Sequence, residues 1–441
     1  MKTLFRICIV LLAGFFQSSC NMSTVTEGGD KIVLTNCHVI DCAGGGLQEN
    51  MSLIIDGNRI LEITSGRYNE TDGRVMDLKG AYVLPGLWNM HVHLSDLLPD
   101  VKDMLGKEEV VPASIRAGRN AMDALKWGFT GIRMVGERDY LDIAWRDAFD
   151  AGVFVGPRIY AAGKIVVPYE GEEGEDWPVE IFTDGPDEFR KAHEENIAKG
   201  LDFYKVFAPG MSPEQFKVTI DLAHEAGLKV TAHSSGQNAH NAVVAGIDCI
   251  EHGTMITDET IQLMAEKGTF YCPTVVCNLS EEYLEEREDR LAKLGFSDDK
   301  EAVEGRILVA EADLRPQKVA ARHREIIVTA AEAGVKIISG SDSNPLDELG
   351  ILEIEQLYLS GLTEMQVLEA ATRNCAEMVG VLDELGTLEA GKLADLIVVE
   401  ENPLENISNL RKLQMVIKDG KPVNLSRDEG EASFWELYFK K

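Results

Sequence analysis

Positive charge is scarce in this chain. Across 441 residues, 43 Lys and Arg face 74 Asp and Glu, for a formal net charge of −31. A nucleic-acid partner calls for a basic footprint that neutralises phosphates, so this balance argues against one. It bears on solubility and self-repulsion, not on fold. The eight cysteines include no Cys-x-x-Cys pair, which speaks against a zinc knuckle or a dithiol redox motif. An oxidising compartment would permit a Cys37–Cys42 bridge, but buried free thiols are the expected state. The apolar run near the start, Ile7 to Phe16, is too short to span a bilayer.

That run follows Lys2 and Arg6 and precedes Gln17-Ser18-Ser19-Cys20, so 1–19 reads as a signal peptide. Small residues before Cys20 resemble a bacterial lipobox, although Gln17 departs from its usual aliphatic residue. The expectation is an exported protein, periplasmic or at the cell surface. Its membrane contact would be a lipid on Cys20, with 20–30 as a polar tether. The remainder, in a chain 45% hydrophobic and 27% charged, has the composition of an ordinary globular protein with a full core.

Short β-rich stretches open the body: Lys31 to Asp41, Met51 to Ile63 around an Asp56-Gly57-Asn58 turn, and Arg74 to Val83. Similar strand and turn patterns close it, at Gly386 to Val399 and Met415 to Val423. The middle alternates short apolar strands with helical stretches, the pattern of βα units around a parallel sheet. Eight strands are expected: Leu84 to His93, Gly131 to Val135, Arg158 to Val166, Asp202 to Phe207, Lys229 to Ser234, Cys249 to His252, Phe270 to Val276 and Val335 to Asp342. The fold class is therefore α/β, a (β/α)8 TIM barrel over 84–380 with a small β-sandwich domain built from both chain ends, 31–83 and 381–441. Two insertions interrupt the barrel. Pro168 to Asp187 is an acidic loop, and Glu281 to Arg322 is either a lid or a solvated helical excursion.

The chain is organised around Pro85-Gly86-Leu87-Trp88-Asn89-Met90-His91-Val92-His93. Side chains on a strand alternate faces, so His91 and His93 point the same way and can share one divalent cation. Other potential ligands also fall at strand ends, where a barrel carries its site: Lys205, His233, His252 and Asp342. Singly, each has a dull explanation, such as a satisfied core histidine or a helix cap. Their joint occurrence in barrel order points to a metal centre. His38, His193, His224, His240 and His323 lie in helical, loop or terminal β contexts and read as structural or exposed.

In these motifs, together with Ile250-Glu251-His252-Gly253, Gly340-Ser341-Asp342 and the closing Gly386-to-Val399 segment, the chain resembles the amidohydrolase superfamily. Within it, the chain resembles the imidazolonepropionase-like and exported dipeptidase-like members. The resemblance implies two divalent ions, zinc by donor type though Mn, Fe or Co also fit. His91, His93 and Asp342 would hold one and His233 and His252 the other. Lys205, carboxylated by CO2, would bridge them, since a buried Lys has a depressed pKa and a reactive neutral amine. Asp342 would be the catalytic proton carrier. Deaminases of the superfamily usually lack the strand-four lysine and carry a Glu near a site His; Ser234-Ser235-Gly236-Gln237 has none, which favours amide hydrolysis.

The expected partner is a small molecule, a dipeptide or N-acyl amino acid, with a cyclic amide or a lactone as the alternative. Arg133 would bind a substrate carboxylate or else form a barrel salt bridge, and Tyr204 beside Lys205 is a second candidate contact. A non-catalytic exported binding protein is the competing class, and such a protein would be expected to have lost ligands. A homo-oligomer is compatible with everything above.

Overall fold

Strands from the two ends of the chain share one sheet. The computed structural model describes residues 31–68, 73–95, 108–168, 178–278, 317–344 and 346–426. The expected leader and tether, 169–177 of the acidic loop and 281–316 of the second insertion lie outside the described residues. The N-terminal strands are β1 (Ile32–Ile40), β2 (Leu47–Asp56), β3 (Arg59–Ser65), β4 (Arg74–Asp77) and β5 (Tyr82–Pro85). From the other end come β15 (Leu396–Val399), β16 (Leu413–Lys418) and β17 (Lys421–Pro422), numbered by chain position. Hydrogen bonds join all eight into a single mixed sheet of order β17-β16-β15-β5-β1-β2-β3, with β4 beside β1. The β-sandwich expectation thus meets one continuous sheet rather than two separate ones.

Alternation explains how this sheet docks. Along β15, Leu396 and Val398 enter the terminal core while Ile397 and Val399 enter the larger barrel core. Neighbouring β5 does the same, with Val83 on one side and Leu84 on the other. The sheet is therefore apolar on both faces at its centre, and one face is spent on the barrel. Arg158 secures the junction by donating from Nε to Asp395 Oδ2 at 3.0 Å. Cys37 and Cys42 lie buried as free thiols, each pushed up to about 12 by burial, so neither is a nucleophile at neutral pH.

The second architectural part is a TIM-barrel-like α/β fold. Its strands are β6 (Leu87–Val92), β7 (Phe129–Met134), β8 (Arg158–Tyr160), β9 (Ile165–Val166), β10 (Glu180–Ile181), β11 (Tyr204–Phe207), β12 (Val230–Ser234), β13 (Cys249–His252) and β14 (Phe270–Cys272). They form two parallel sheets, β6-β7-β8 and β10-β9-β11-β12-β13-β14. Backbone hydrogen bonds outside the ladders cross the seams. Asp202 N donates to Ala161 O at 2.9 Å on one side. On the other, residues 336–342 bridge the sheets: Ile338 N donates to Tyr271 O at 2.9 Å and Met90 N to Ser339 O at 2.8 Å. The strand expected at Val335 to Asp342 is thus an irregular linker with one ladder pair, Tyr271–Ile337.

Helices cover the outside: α1 (Val110–Lys126), α2 (Leu141–Asp150), α3 (Pro186–Ile197), α4 (Pro213–Glu225), α5 (Gly236–Ala245), α6 (Asp258–Lys267), α7 (Gln317–Glu332), α8 (Leu346–Ser360), α9 (Glu364–Ala370) and α10 (Arg373–Met378). The start of α4 shows why: Ser212 and Gln215 form a capping box around Pro213, which sits in the first turn. None of the helices among the described residues is long and apolar enough to cross a membrane.

The expected strand Leu84 to His93 is in fact two, and Gly86 is where the chain passes from the terminal sheet to the barrel. Gly86 N donates to Asp395 O, and Leu87 N to Gly128 O. A Cβ at Gly86 would stand 2.1 Å from Thr130 Oγ1 and 2.4 Å from Thr130 Cγ2. Gly86→Ala should therefore destabilise the protein by about 1–3 kcal/mol, the usual cost of overpacking. Urea unfolding would read it, and an unchanged midpoint would show that β7 yields freely.

Candidate active site

His91 on β6 and His93 just past its end reach the mouth of the barrel, and both touch the same carboxylate. Asp342 Oδ1 lies 3.4 Å from His91 Nε2 and 3.5 Å from His93 Nε2. The opposite nitrogen of each ring is fixed. His93 Nδ1 bonds Gly136 O at 2.7 Å, and a carbonyl only accepts, so Nδ1 carries the hydrogen. His91 Nδ1 bonds Glu251 Oε2 at 2.7 Å. Burial, and then the charge of Lys205, hold His91 well below 6.5 and His93 at about 4, so both rings are neutral at pH 7. Two imidazole lone pairs thus face a carboxylate oxygen with no proton between them. Such an arrangement is repulsive until a cation enters, and partners on the outer nitrogens are the usual support of metal-binding histidines.

Beneath His91, Glu251 is completely buried. It accepts from Arg133 Nη2 and Thr231 Oγ1 besides His91, and Cys249 Sγ lies 3.4 Å away. Burial opposes its charge, yet Arg133 and then His91 hold the carboxyl well below the usual range. Glu251 and His252 are consecutive on β13, yet both meet His91, whose ring centroid is 4.8 Å from that of His252. Alternation would send them to opposite faces. The left-handed φ of +65° at His252 breaks it.

Two more residues at the site share this unusual backbone, Asp342 at φ +49° and Thr274 at φ +51°. Such conformations are costly away from glycine and persist where surroundings enforce them. The carbonyl of His252 accepts from Tyr271 OH at 2.9 Å, and His323 Nε2 sits 2.9 Å from it. Thr274 Oγ1 bonds His252 Nδ1 at 2.7 Å. Behind that loop, Glu353 on α8 accepts from Val275 N at 2.9 Å and Val276 N at 2.8 Å.

Lys205 is buried on β11, and burial lowers its pKa against the pull of Glu251 and Asp342. Its charge acts on His91, His93 and His252, which places it among them. His233, on the next strand, stacks on Phe207 at 4.7 Å and lies 4.4 Å from His252, ring to ring. His252 Nε2 is buried with no hydrogen-bond partner. Neutral imidazoles, a carboxylate and a lysine whose pKa burial lowers suit divalent cations. Among the described residues, His91, His93 and Asp342 form one candidate ligand group, and His252, Cys277 and Asp342 another.

The sequence profile of the amidohydrolase family matches residues 82–423. The chain belongs to the amidohydrolase family. Among curated relatives, it is 28% identical over 366 residues to ochratoxinase of Aspergillus niger, covering 74% of this chain and 71% of that protein. It is 26% identical over 411 residues to imidazolonepropionase of Maricaulis maris, covering 82% and 90%. Among solved structures, a Xaa-Pro dipeptidase with methionine bound in its active site superposes with a TM-score of 0.74 at 29% identity, covering 89% of this chain and 99% of that one.

Within this amidohydrolase, two residues expected to touch substrate are placed elsewhere. Tyr204 precedes Lys205 on a strand and so faces outward, where its hydroxyl bonds His193 Nδ1 on α3. This corrects the expectation that it lines the site. Arg133 makes the barrel salt bridge that was its other reading. Its guanidinium is fully buried, donating to Glu251 and, at 2.7 Å, to Met90 O. The functional residue overlooked in the sequence is Glu251, although it stands inside the Ile250-to-Gly253 motif. An acidic residue in an apolar strand is the signal that could have found it.

Glu251→Ala would leave Arg133 as an unpaired buried charge and should cost about 3–5 kcal/mol in urea unfolding. A loss below about 1 kcal/mol would show that Arg133 finds another partner or water. Glu353 gives a pH dependence. Burial pushes its carboxyl from 4.5 up to about 8. A raised folded pKa means that its stabilisation is complete below pH 4.5 and is lost as pH climbs through about 8. Glu353→Gln should flatten that part of the stability–pH curve, and an unaltered slope would assign the loss to other groups.

Proposed function

We propose that this amidohydrolase cleaves a C–N amide bond with two divalent ions, zinc by donor type, and that its substrates are dipeptides or N-acyl amino acids. The observation that carries this is the meeting of the His91 and His93 lone pairs with Asp342 Oδ1. In this reading His91, His93 and Asp342 hold one ion, His233 and His252 the other, and Lys205 bridges them as its carbamate. The neutral Lys205 amine forms that carbamate by attack on CO2 with loss of a proton, which its lowered pKa favours. Bound there, the ions would polarise the scissile carbonyl and acidify water. Asp342 takes the proton of the attacking water and passes it to the leaving nitrogen. Glu251 and the Gly136 carbonyl keep the His91 and His93 rings in the ligating tautomer throughout.

Linear substrates are favoured by the likeness to the Xaa-Pro dipeptidase. The likeness to imidazolonepropionase makes a cyclic amide the second reading, and a lactone would use the same groups. With Arg133 committed to Glu251, a substrate carboxylate must be met by some other group. Export and lipidation at Cys20 belong to the same proposal and rest on residues 1–20; Cys20→Ala should abolish fatty-acid labelling in the native host.

A hydrolysis screen of the zinc- and bicarbonate-loaded protein tests the proposal. Turnover of dipeptides or N-acyl amino acids is expected, while turnover confined to rings would move the chain to the second reading. Lys205→Ala should lose one of the two ions and most activity, a fall on the order of 10²-fold or more. Full activity with one ion per chain would contradict the bridged pair.

A further inference from the structure

We propose that Cys277 is a ligand of the ion held by His233 and His252, which makes that position a thiolate site. The inference rests on the two-ion reading above and adds a donor to it. Cys277 lies in the short 3-10 turn Val275–Asn278 that follows β14. Its Sγ is 4.0 Å from His252 Nδ1, 3.3 Å from Thr274 Oγ1 and 3.2 Å from Thr274 O. The ligand atoms of His252, Cys277 and Asp342 all lie within 4.8 Å of one another. His252 is more than nine-tenths buried, and Asp342 Oδ2 lies 3.8 Å from the same Nδ1 that faces the thiol.

The turn is built to hold the thiol there. Glu353 accepts the N–H groups of Val275 and Val276, which fixes the backbone just ahead of Cys277. Thr274, in its left-handed conformation, bonds both the His252 ring and the Cys277 thiol. Of the described cysteines, Cys277 is the one that is not fully buried; Cys37, Cys42, Cys249, Cys272 and Cys375 are sealed in. Cys272 also falls in a ligand-like group, with His91 and Glu251. Those two already bond each other through His91 Nδ1, and Glu251 also takes Arg133 and Thr231, so the Glu251 carboxylate is already committed.

Ligation releases the thiol proton as the sulfur–metal bond forms. A soft sulfur beside imidazole favours zinc or cobalt over manganese at this position, whereas the His91–His93–Asp342 position has only nitrogen and oxygen donors. The lip of the site would then carry its own metal selectivity. Replacing the sulfur should weaken the second zinc by at least about tenfold while changing manganese affinity far less.

Cobalt reports the bond directly. The full-length protein is loaded with cobalt and bicarbonate, the metal is counted by elemental analysis, and the near-ultraviolet thiolate-to-cobalt charge-transfer band is recorded. Two cobalt ions per chain, with a band that disappears in Cys277→Ser and persists in Cys272→Ser, is the expected result. Two ions without a band, or a band lost only in Cys272→Ser, overturns the inference and leaves the two-ion reading standing. Fewer than two ions overturns both. Should Cys277→Ser fail to fold, X-ray absorption of the zinc-loaded wild type decides: a sulfur neighbour at about 2.3 Å is expected, and a shell of nitrogen and oxygen alone overturns it.

Discussion

The site hangs on a buried carboxylate. Glu251 sits inside the barrel with no access to water, and its charge is tolerable only because Arg133 lies against it with an equal and opposite one. That pair alone would be a poor bargain for stability, since two desolvated ions rarely outdo apolar packing. Its use is geometric. With one oxygen on Arg133 and Thr231 and the other on His91 Nδ1, Glu251 fixes which nitrogen of His91 is open and where it points.

Around that anchor, the barrel trades backbone comfort for convergence. A regular strand offers the mouth one side chain in two, and the left-handed turns at His252, Thr274 and Asp342 supply the extra ones. Each turn is held from outside the site. Tyr271 and His323 meet the His252 carbonyl, Glu353 secures the loop after Thr274, and Asn89 binds both the backbone and side chain of Ser341 beside Asp342. Hence 336–342 need not be a regular strand. It is a strap pinned at Tyr271, Met90 and His91, and the pins matter more than the ladder.

Much of this was legible in the sequence because it follows from period two and from strand ends. His91 and His93 had to share a face, and Lys205, His233, His252 and Asp342 had to fall near one rim once the βα pattern was accepted. The same alternation, applied one residue back from Lys205, would have turned Tyr204 outward, so that error was avoidable. Other features were hidden for physical reasons. Whether Arg133 met substrate or Glu251 depended on a contact 118 residues away. The break at Gly86 arises because two sheets meet there, and only Thr130 on a neighbouring strand shows why no side chain fits. Cys277 reaches the rim through a strained loop whose conformation no local pattern encodes.

The most direct test of the account is anomalous diffraction at the zinc edge from crystals grown with zinc and bicarbonate. Two peaks are predicted, one among His91, His93 and Asp342 and one beside His233 and His252, with density for a carbamate on Lys205 between them. A single peak over an unmodified Lys205 would contradict it, and the chain would then have to do its chemistry with one ion.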